Sequence, residues 1–323
     1  MSWERSFQFG TFTALINKSG YMYDIIGDIH GYCSKLEELL IKLHYTKVNG
    51  AWRHPGRKVI FVGDYIDRGP EIRETLQLVR NMVEAGSAIA LMGNHEYNAV
   101  AYARQLEDGS FLRSNSAKHT KQHQATLEQF AGYAAEWRSH RDWFYILPLF
   151  LDLGEIRVVH ACWDQEHIEW LKNKNYFTLN DELLMSSHNR GDISYEVIND
   201  TLKGKEFNIP EQYSWYDKDG HARNANRIKW WVKPGSSSYK EFLFNCPESL
   251  LAEKVPADIS VNIYPHDAPP VFFGHYWLED KFPVIQTVNV ICLDYSVAKN
   301  GSLVAYRWSG EKVLDNGHFV SVS

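Results

Sequence analysis

Five short apolar runs in this sequence each stop at a side chain that can donate a lone pair. Ile25–Ile26 runs into Gly27-Asp28-Ile29-His30-Gly31, and Val59 to Val62 ends at Gly63-Asp64. Ala88 to Met92 ends at Gly93-Asn94-His95, Val158–Val159 at His160, and Val271 to Phe273 at Gly274-His275. A single Asp after a strand is ordinarily a turn former or N-cap, and a single Asn a turn residue. A single core His is usually satisfied by a backbone carbonyl. Turn chemistry does not explain why all five ends carry ligand-type side chains. Taken together, Asp28, His30, Asp64, Asn94, His160 and His275 are a mixed oxygen and nitrogen donor set without thiolates. Such a set suits manganese, iron or zinc in a reactive centre better than a structural thiolate zinc site. Six donors exceed what one tetrahedral ion takes. Two ions sharing a bridging carboxylate use them all, and two metals about 3.5–4 Å apart can activate water and clamp a phosphoryl group. The glycines let the backbone turn sharply and approach an anion with no Cβ in the way.

Those donors need elements to hold them. The apolar runs are short and bounded by glycine, as buried strands are. After the first, Leu36, Leu39, Leu40 and Leu43 fall on one helical face; after the second, the same spacing runs from Glu71 and stops at Gly86, a C-cap residue. Alternating strands and helices predict an α/β core with parallel strands, whose sites lie at the carboxyl ends of the strands.

Composition narrows the function classes. The 323 residues are 44% hydrophobic and 23% charged, ordinary values for a globular protein with a large core. A net charge of −6 gives no global reason to expect binding to a nucleic-acid polymer. No run of about 18 apolar residues is present, so no membrane helix is expected. Cys33, Cys162, Cys246 and Cys292 are scattered without a CxxC pair. That pattern fits buried thiols in a reducing, cytoplasmic setting. Residues 1–21 show no sustained apolar segment and no clear cleavage site; they are expected to be an extension ahead of a single domain spanning 22–323.

The blocks "GDIHG", "GDYIDRG" and "GNHE", in that order and followed by "VVHA" and "FGHY", resemble the signature of the calcineurin-like metallophosphoesterases of the phosphoprotein phosphatase superfamily. The resemblance implies a layered β-sandwich flanked by helices, and a binuclear centre. Asp28 and His30 would hold the first metal, Asp64 would bridge, and Asn94, His160 and His275 would complete the second. A hydroxide supplied by the metals would attack phosphorus in line, without a phosphoenzyme. His95 would protonate the leaving oxygen with Asp67 orienting its imidazole, and Arg68 would bind phosphate oxygens bidentately. The C-terminal part, "FGHYWLEDK" through "VICLDYSVAKNGSLVAYRW", resembles the symmetrical diadenosine tetraphosphatases. Those enzymes typically lack the acid at the Asp67 position and have Asp where this chain has Glu96, so the pattern is mixed.

Two insertions interrupt the strand series. About 97–146 reads as helices, with His119 and His123 four residues apart on what is expected to be a solvated face; a zinc pair would need a third ligand, and none sits with them. About 164–268 is a polar segment expected to cap the metal cleft within the same domain. Family members supply another phosphate-binding arginine from this region; its position after the "KDGH" turn favours Arg227, with Arg223 and Arg190 as rivals. Trp230 and Trp231 are either core or a surface for stacking a base. The reading that follows is a two-metal phosphohydrolase, manganese being the favoured ion. Its substrate would be a nucleotide or dinucleoside polyphosphate, or alternatively a phosphoprotein. An inactive phosphate-binding protein on the same fold would require loss of a ligand or of His95, and neither is lost.

Overall fold

The computed structural model describes residues 22–209, 215–216, 222–223, 225–257, 259 and 261–323; the expected extension, 1–21, lies outside them. Two sheets face each other. The first contains β1 (Met22–Ile26), β2 (Arg57–Phe61) and β3 (Ala88–Ala90), all parallel. The second runs β4 (Phe150–Asp152), β5 (Arg157–Val159), β6 (Val271–Phe273) and β7 (Val290–Cys292), with β5, β6 and β7 parallel and β4 antiparallel to β5. The chain then returns to the first sheet through β8 (Asp294–Tyr295), β9 (Ser302–Trp308) and β10 (Phe319–Val322). There β9 pairs antiparallel with β1, β8 and β10, so the first sheet is mixed rather than wholly parallel.

The strands read as continuous apolar runs because both their faces are covered. Tyr23, Ile25, Ile60, Val62, Ile89 and Leu91 point into the layer between the sheets, where they meet Leu151, Val158, Phe272 and Ile291. The alternate residues Ile26, Val59, Phe61 and Ala90 point outward onto helices. Helix α1 (Cys33–Lys42) buries Leu36, Leu39 and Leu40, and α2 (Ile72–Glu84) buries Ile72, Leu76, Val79 and Met82. The latter stops as its sequence predicts: Gly86 takes a φ of +69°, and Ser87 N–H closes back on Met82 O at 2.9 Å.

The first insertion forms α3 (Asn94–Ala103), α4 (Ala117–Gln129) and α5 (Ala134–Phe144); α3 begins ahead of the expected boundary, at Asn94 itself. The second forms α6 (Gln165–Asn173), α7 (Asp181–Ser186) and α8 (Ile193–Lys203), followed by short strands that include Ala225–Arg227. Trp230 and Trp231 are core: both are buried, and Trp230 Nε1 donates to Ala161 O at 3.0 Å. No helix among the described residues is long and apolar enough to cross a membrane.

Candidate binuclear metal centre

The loops that follow β1 and β2 are bonded to each other before any side chain is considered. Ile29 and His30 N–H both donate to Asp64 O, at 3.1 and 2.8 Å, and Gly31 N–H donates to Tyr65 O at 2.9 Å. Glu96, fully buried in the first turn of α3, accepts N–H bonds from Gly93 (3.0 Å), Asp64 (2.9 Å), Tyr65 (2.8 Å) and Ile66 (3.3 Å). One carboxylate therefore ties the third loop to the second. Where the backbone must turn the donors inward it takes left-handed conformations: φ is +48° at His30, +55° at Asp64, +67° at Asp67, +71° at Arg68 and +69° at His275. Conformations of that kind cost about 1–3 kcal/mol each for a side-chain-bearing residue and persist only where surrounding structure enforces them. Gly274 needs no Cβ for another reason: one placed there would run into the Asp28 carboxylate.

All six candidate ligands reach one buried spot. Asp64 belongs to two clusters whose donor atoms lie within 4.8 Å of one another, one with His30 and His95, the other with His160 and His275. Asp28 Oδ2 accepts the His275 N–H at 3.0 Å, which brings it to the mouth of β6. Asn94 Oδ1 sits 3.0 Å from His160 Nε2.

The hydrogen bonds fix the tautomers. His30 Nδ1 donates to Ile66 O at 3.0 Å and His160 Nδ1 to Val62 O at 2.9 Å, so in the neutral rings Nε2 carries a lone pair. Those lone pairs face other lone pairs. His160 Nε2 confronts Asn94 Oδ1 and, at 3.4 Å, Asp64 Oδ1; His30 Nε2 confronts Asp64 Oδ2 at 3.7 Å. Buried atoms left without a partner include Asp28 Oδ1, His30 Nε2 and both ring nitrogens of His275. Buried acceptors facing acceptors are unfavourable unless a cation lies between them, so this donor set fits divalent metal ions.

Titration tells the same story. Burial, then Asp294 and Asp64, push the Asp28 carboxyl well above its usual range. Burial, Arg68 and His95 bring His30 down to about 3, and burial with Arg227 and His160 pushes His275 well below its ordinary value. Burial lowers His160 too. Burial alone would raise Asp64, but His160, His95 and His30 draw it down to about 2. Neutral imidazoles around an ionised Asp64 are the protonation states that metal ligation requires, whereas Asp28, pushed the other way by burial and its neighbouring carboxylates, needs a cation beside it to be held ionised.

Beside this cluster stands an acid–base pair. His95 Nδ1 donates to Asp67 Oδ2 at 2.5 Å, and its Nε2 lies 3.9 Å from Asp64 Oδ2 and 3.4 Å from Arg68 Nη2. Burial would lower the His95 pKa, yet Asp64 and Asp67 outweigh it and raise the value. The Arg68 guanidinium lies 5.0 Å over the Trp277 ring. Arg227 lines the same cleft as Arg68, Asn94, His95 and His275, and its buried Nε has no hydrogen-bond partner among the described residues. Arg190 lines a different cleft, with Asp164 and Asp192; the Arg223 side chain lies outside the described residues.

The expectation of a solvated face around His123 is corrected. That residue is buried, and its Nδ1 donates to Asp67 Oδ1 at 2.7 Å; Thr126 Oγ1 donates to the same oxygen at 2.5 Å while accepting Asp67 N–H at 3.1 Å. Asp67 is thus gripped from α4 as well as from His95, and these bonds overcome burial and hold its carboxyl well below the usual range. His119 does remain at the rim, bonded to Ser114 O at 2.8 Å. Sequence reasoning also missed Glu96 as a tie between loops; its carboxylate accepts the Gly93 N–H as the Glu of a capping box does, but glycine has no side chain to complete the motif. Asp294 is buried nearby, accepting N–H bonds from Trp277 (2.9 Å) and Ser296 (3.0 Å).

A family model for calcineurin-like phosphoesterases matches residues 23–276. The chain belongs to that family. Among curated relatives, a bis(5'-nucleosyl)-tetraphosphatase PrpE [asymmetrical] from Oceanobacillus iheyensis is 32% identical over 158 residues, which is 47% of this chain and 60% of the relative. Its counterpart from Halalkalibacterium halodurans is 47% identical over 74 residues, 23% of this chain and 30% of the relative. The chain therefore matches 60% of the length of the first and less than a third of the second. Among solved structures, a Saccharomyces cerevisiae protein serine/threonine phosphatase gives a TM-score of 0.47 at 14% identity, covering 97% of this chain and 86% of the other. A cold-active protein-tyrosine phosphatase from a Shewanella species gives 0.45 at 17%, covering 90% and 79%. Likeness that loose says nothing about substrate.

Proposed function

We propose that this calcineurin-like phosphoesterase is a two-metal phosphohydrolase acting on a dinucleoside polyphosphate. One observation supports it above the others: buried lone pairs of Asp28, His30, Asp64, Asn94, His160 and His275 converge without donors between them, next to a hydrogen-bonded His95–Asp67 pair. Asp28, His30 and Asp64 would hold one ion and Asp64, Asn94, His160 and His275 the other, manganese being the ion we favour over iron or zinc. When bound, such ions supply an activated water and neutralise charge on the phosphoryl group.

The protein's own groups divide the remaining work. Arg68 and Arg227 point cationic groups into the cleft where phosphate oxygens would lie, and the weakly hydrated guanidinium suits bidentate contact. His95, its pKa raised, carries a proton on Nε2 toward the leaving oxygen; Asp67 fixes the opposite nitrogen so that Nε2 faces the cleft. We take 22–323 as one domain, with 97–146 and 164–268 inserted, because Ile168, Leu202, Trp230 and Phe242 share a core with Leu36 and Leu76. The free cysteines support a cytoplasmic setting. No nucleic-acid polymer or membrane is proposed as a partner.

The substrate assignment rests on the named activity of the PrpE relatives and is tested by direct comparison. Diadenosine tetraphosphate, AMP, and phosphoserine and phosphotyrosine peptides are offered with manganese, and products are resolved by chromatography. A kcat/KM for diadenosine tetraphosphate far above the rest is expected; two ADP would mark symmetrical cleavage, ATP with AMP asymmetrical. Preference for the peptides would establish the phosphoprotein reading instead.

A further inference from the structure

The cleft beside the metal centre is about 670 Å³, within the range of small-molecule sites, and larger than one phosphoryl group needs. Its walls carry Arg68, Arg113, Lys121, Lys203 and Arg227 against Asp67, Glu128 and Glu206. Of those acids, Asp67 is engaged by His95 and His123, Glu128 accepts from Gln124 Nε2 at 2.7 Å, and Glu206 is exposed and offsets Lys203 and Arg227 without forming an ion pair with either among the described residues.

Arg113 and Lys203 enter from the two insertions, Arg113 just ahead of α4 and Lys203 at the end of α8. Both are half-buried, and neither forms an ion pair among the described residues. Arg113 donates to the neutral amide oxygens of Asn98 (3.2 Å) and Gln122 (3.0 Å); Lys203 Nζ donates to that of Asn199 (2.8 Å) and lies 5.4 Å over the Tyr97 ring. These contacts aim the charges without neutralising them. Elsewhere Arg57 pairs with Asp24 at 2.9 Å, Lys205 with Asp164 at 2.5 Å and Lys172 with Asp152 at 2.8 Å; Arg141 and Lys229 are half-buried without an ion pair among the described residues, but neither lines this cleft. Burial, then the nearby Arg113, press Lys203 down to about 8; Glu206 opposes the shift and Arg227 adds to it, so the carboxylate on the wall offsets only part of the cost of holding these cations together. In a chain of net charge −6, cations gathered in one cleft in excess of the carboxylates described there favour an anion among them.

We propose that Arg113 and Lys203 form a second anion subsite that binds the phosphate groups of a polyphosphate chain beyond the one being cleaved. The inference rests on the phosphohydrolase reading of the adjoining cluster and goes beyond it in explaining how a polyphosphate is preferred over a monoester. A phosphomonoester would engage Arg68 and Arg227 and leave Arg113 and Lys203 uncompensated. A chain of phosphates would engage both sets.

The test uses the full chain hydrolysing p-nitrophenyl phosphate at fixed free manganese, inhibited in parallel by orthophosphate and tripolyphosphate. Tripolyphosphate is expected to inhibit at least about tenfold more strongly, since each added charge-assisted contact contributes on that order. Arg113→Gln and Lys203→Gln should each shrink this ratio by several fold, and Lys203→Arg should preserve it, which separates lost charge from a disturbed fold. A wild-type ratio near one, or a ratio unchanged in both Gln variants, overturns the subsite. Diadenosine tetraphosphate turnover is followed in the same preparations. Turnover with an insensitive ratio would leave the substrate reading standing and remove the subsite. A sensitive ratio without turnover would keep the subsite and remove the dinucleoside assignment.

Discussion

The metal cluster and the cleft around it are built in opposite ways. Every candidate ligand in the cluster sits within a few residues of a strand's carboxyl end, and β1, β2, β3, β5 and β6 deliver them to one point because their registers align. The cleft is assembled from the insertions: His123 and Thr126 come from α4, Lys203 from α8, Arg227 from a short strand, and Arg113 from a loop. In the cluster, donors are rigid, buried and mutually repulsive. In the cleft, His123 and Thr126 are buried against Asp67, while Arg113, Lys203 and Arg227 are half-buried, the first two aimed by neighbours on their own insertions. On the proposed function, the strand ends would carry the chemistry common to any substrate, and the insertions would bear on which phosphate chain that chemistry meets.

The largest effect expected is at the centre of the cluster. Asp64→Asn removes the one carboxylate common to both donor groups and should cut turnover by about 10³ or more, with metal content falling together with activity. Normal turnover with two metals bound would end the bridging assignment. Next, His95→Ala should retain metal but lose roughly 10²–10⁴ on a poor leaving group and much less on p-nitrophenyl phosphate, which leaves without protonation. Equal losses on both would show that His95 acts otherwise. The first effect read from the insertions is smaller. His123→Ala should cost about tenfold, as removal of a residue that orients another usually does, with the same leaving-group bias as His95→Ala. His123→Asn, whose amide can donate where Nδ1 does, should recover part of it. A loss indifferent to the leaving group would mean that α4 braces the fold rather than the His95–Asp67 pair.

Two stability measurements sharpen the contrast further. Manganese at about 100 times its dissociation constant should add roughly 2.7 kcal/mol by mass action, seen as a rise in Tm in the wild type and a much smaller one in Asp64→Asn. A rise equal in both would place the stabilising ion elsewhere. Gly274→Ala should destabilise by about 1–3 kcal/mol, because the new methyl meets the Asp28 carboxylate, and should weaken manganese binding with it. Retained affinity would show that Asp28 has room to move.

How much was legible follows the same division. The strand ends announced themselves through apolar runs broken by Gly-Asp, Gly-Asn-His and Gly-His, a local pattern. The leucine spacing of α1 and the Gly86 stop of α2 were legible for the same reason. His123 was not, because a helix position reads as solvated until one knows that Asp67 and Trp137 cover it; its ring lies 5.7 Å from that indole. Nor did the tryptophan pair declare itself. Aromatic composition is the same for a core and for a stacking surface, and only burial against Phe273 and Tyr276 chose the core.

The sequence by itself determined the kind of chemistry: oxygen and imidazole donors without thiolates, at the ends of buried strands, with an acid–base pair and an arginine one turn away. The alternation of apolar runs and helical spacings also pointed to an α/β core, while the layered sandwich was implied only by the family resemblance and the antiparallel return of β9 was not anticipated. The tertiary structure alone decided which lone pairs confront one another, which way His30 and His160 are protonated, and which cations go without an ion pair among the described residues. Those facts depend on distances of about 3 Å between residues that lie tens to hundreds of positions apart. Such distances are set by the packing of two sheets and the insertions over them, and no local spacing encodes them.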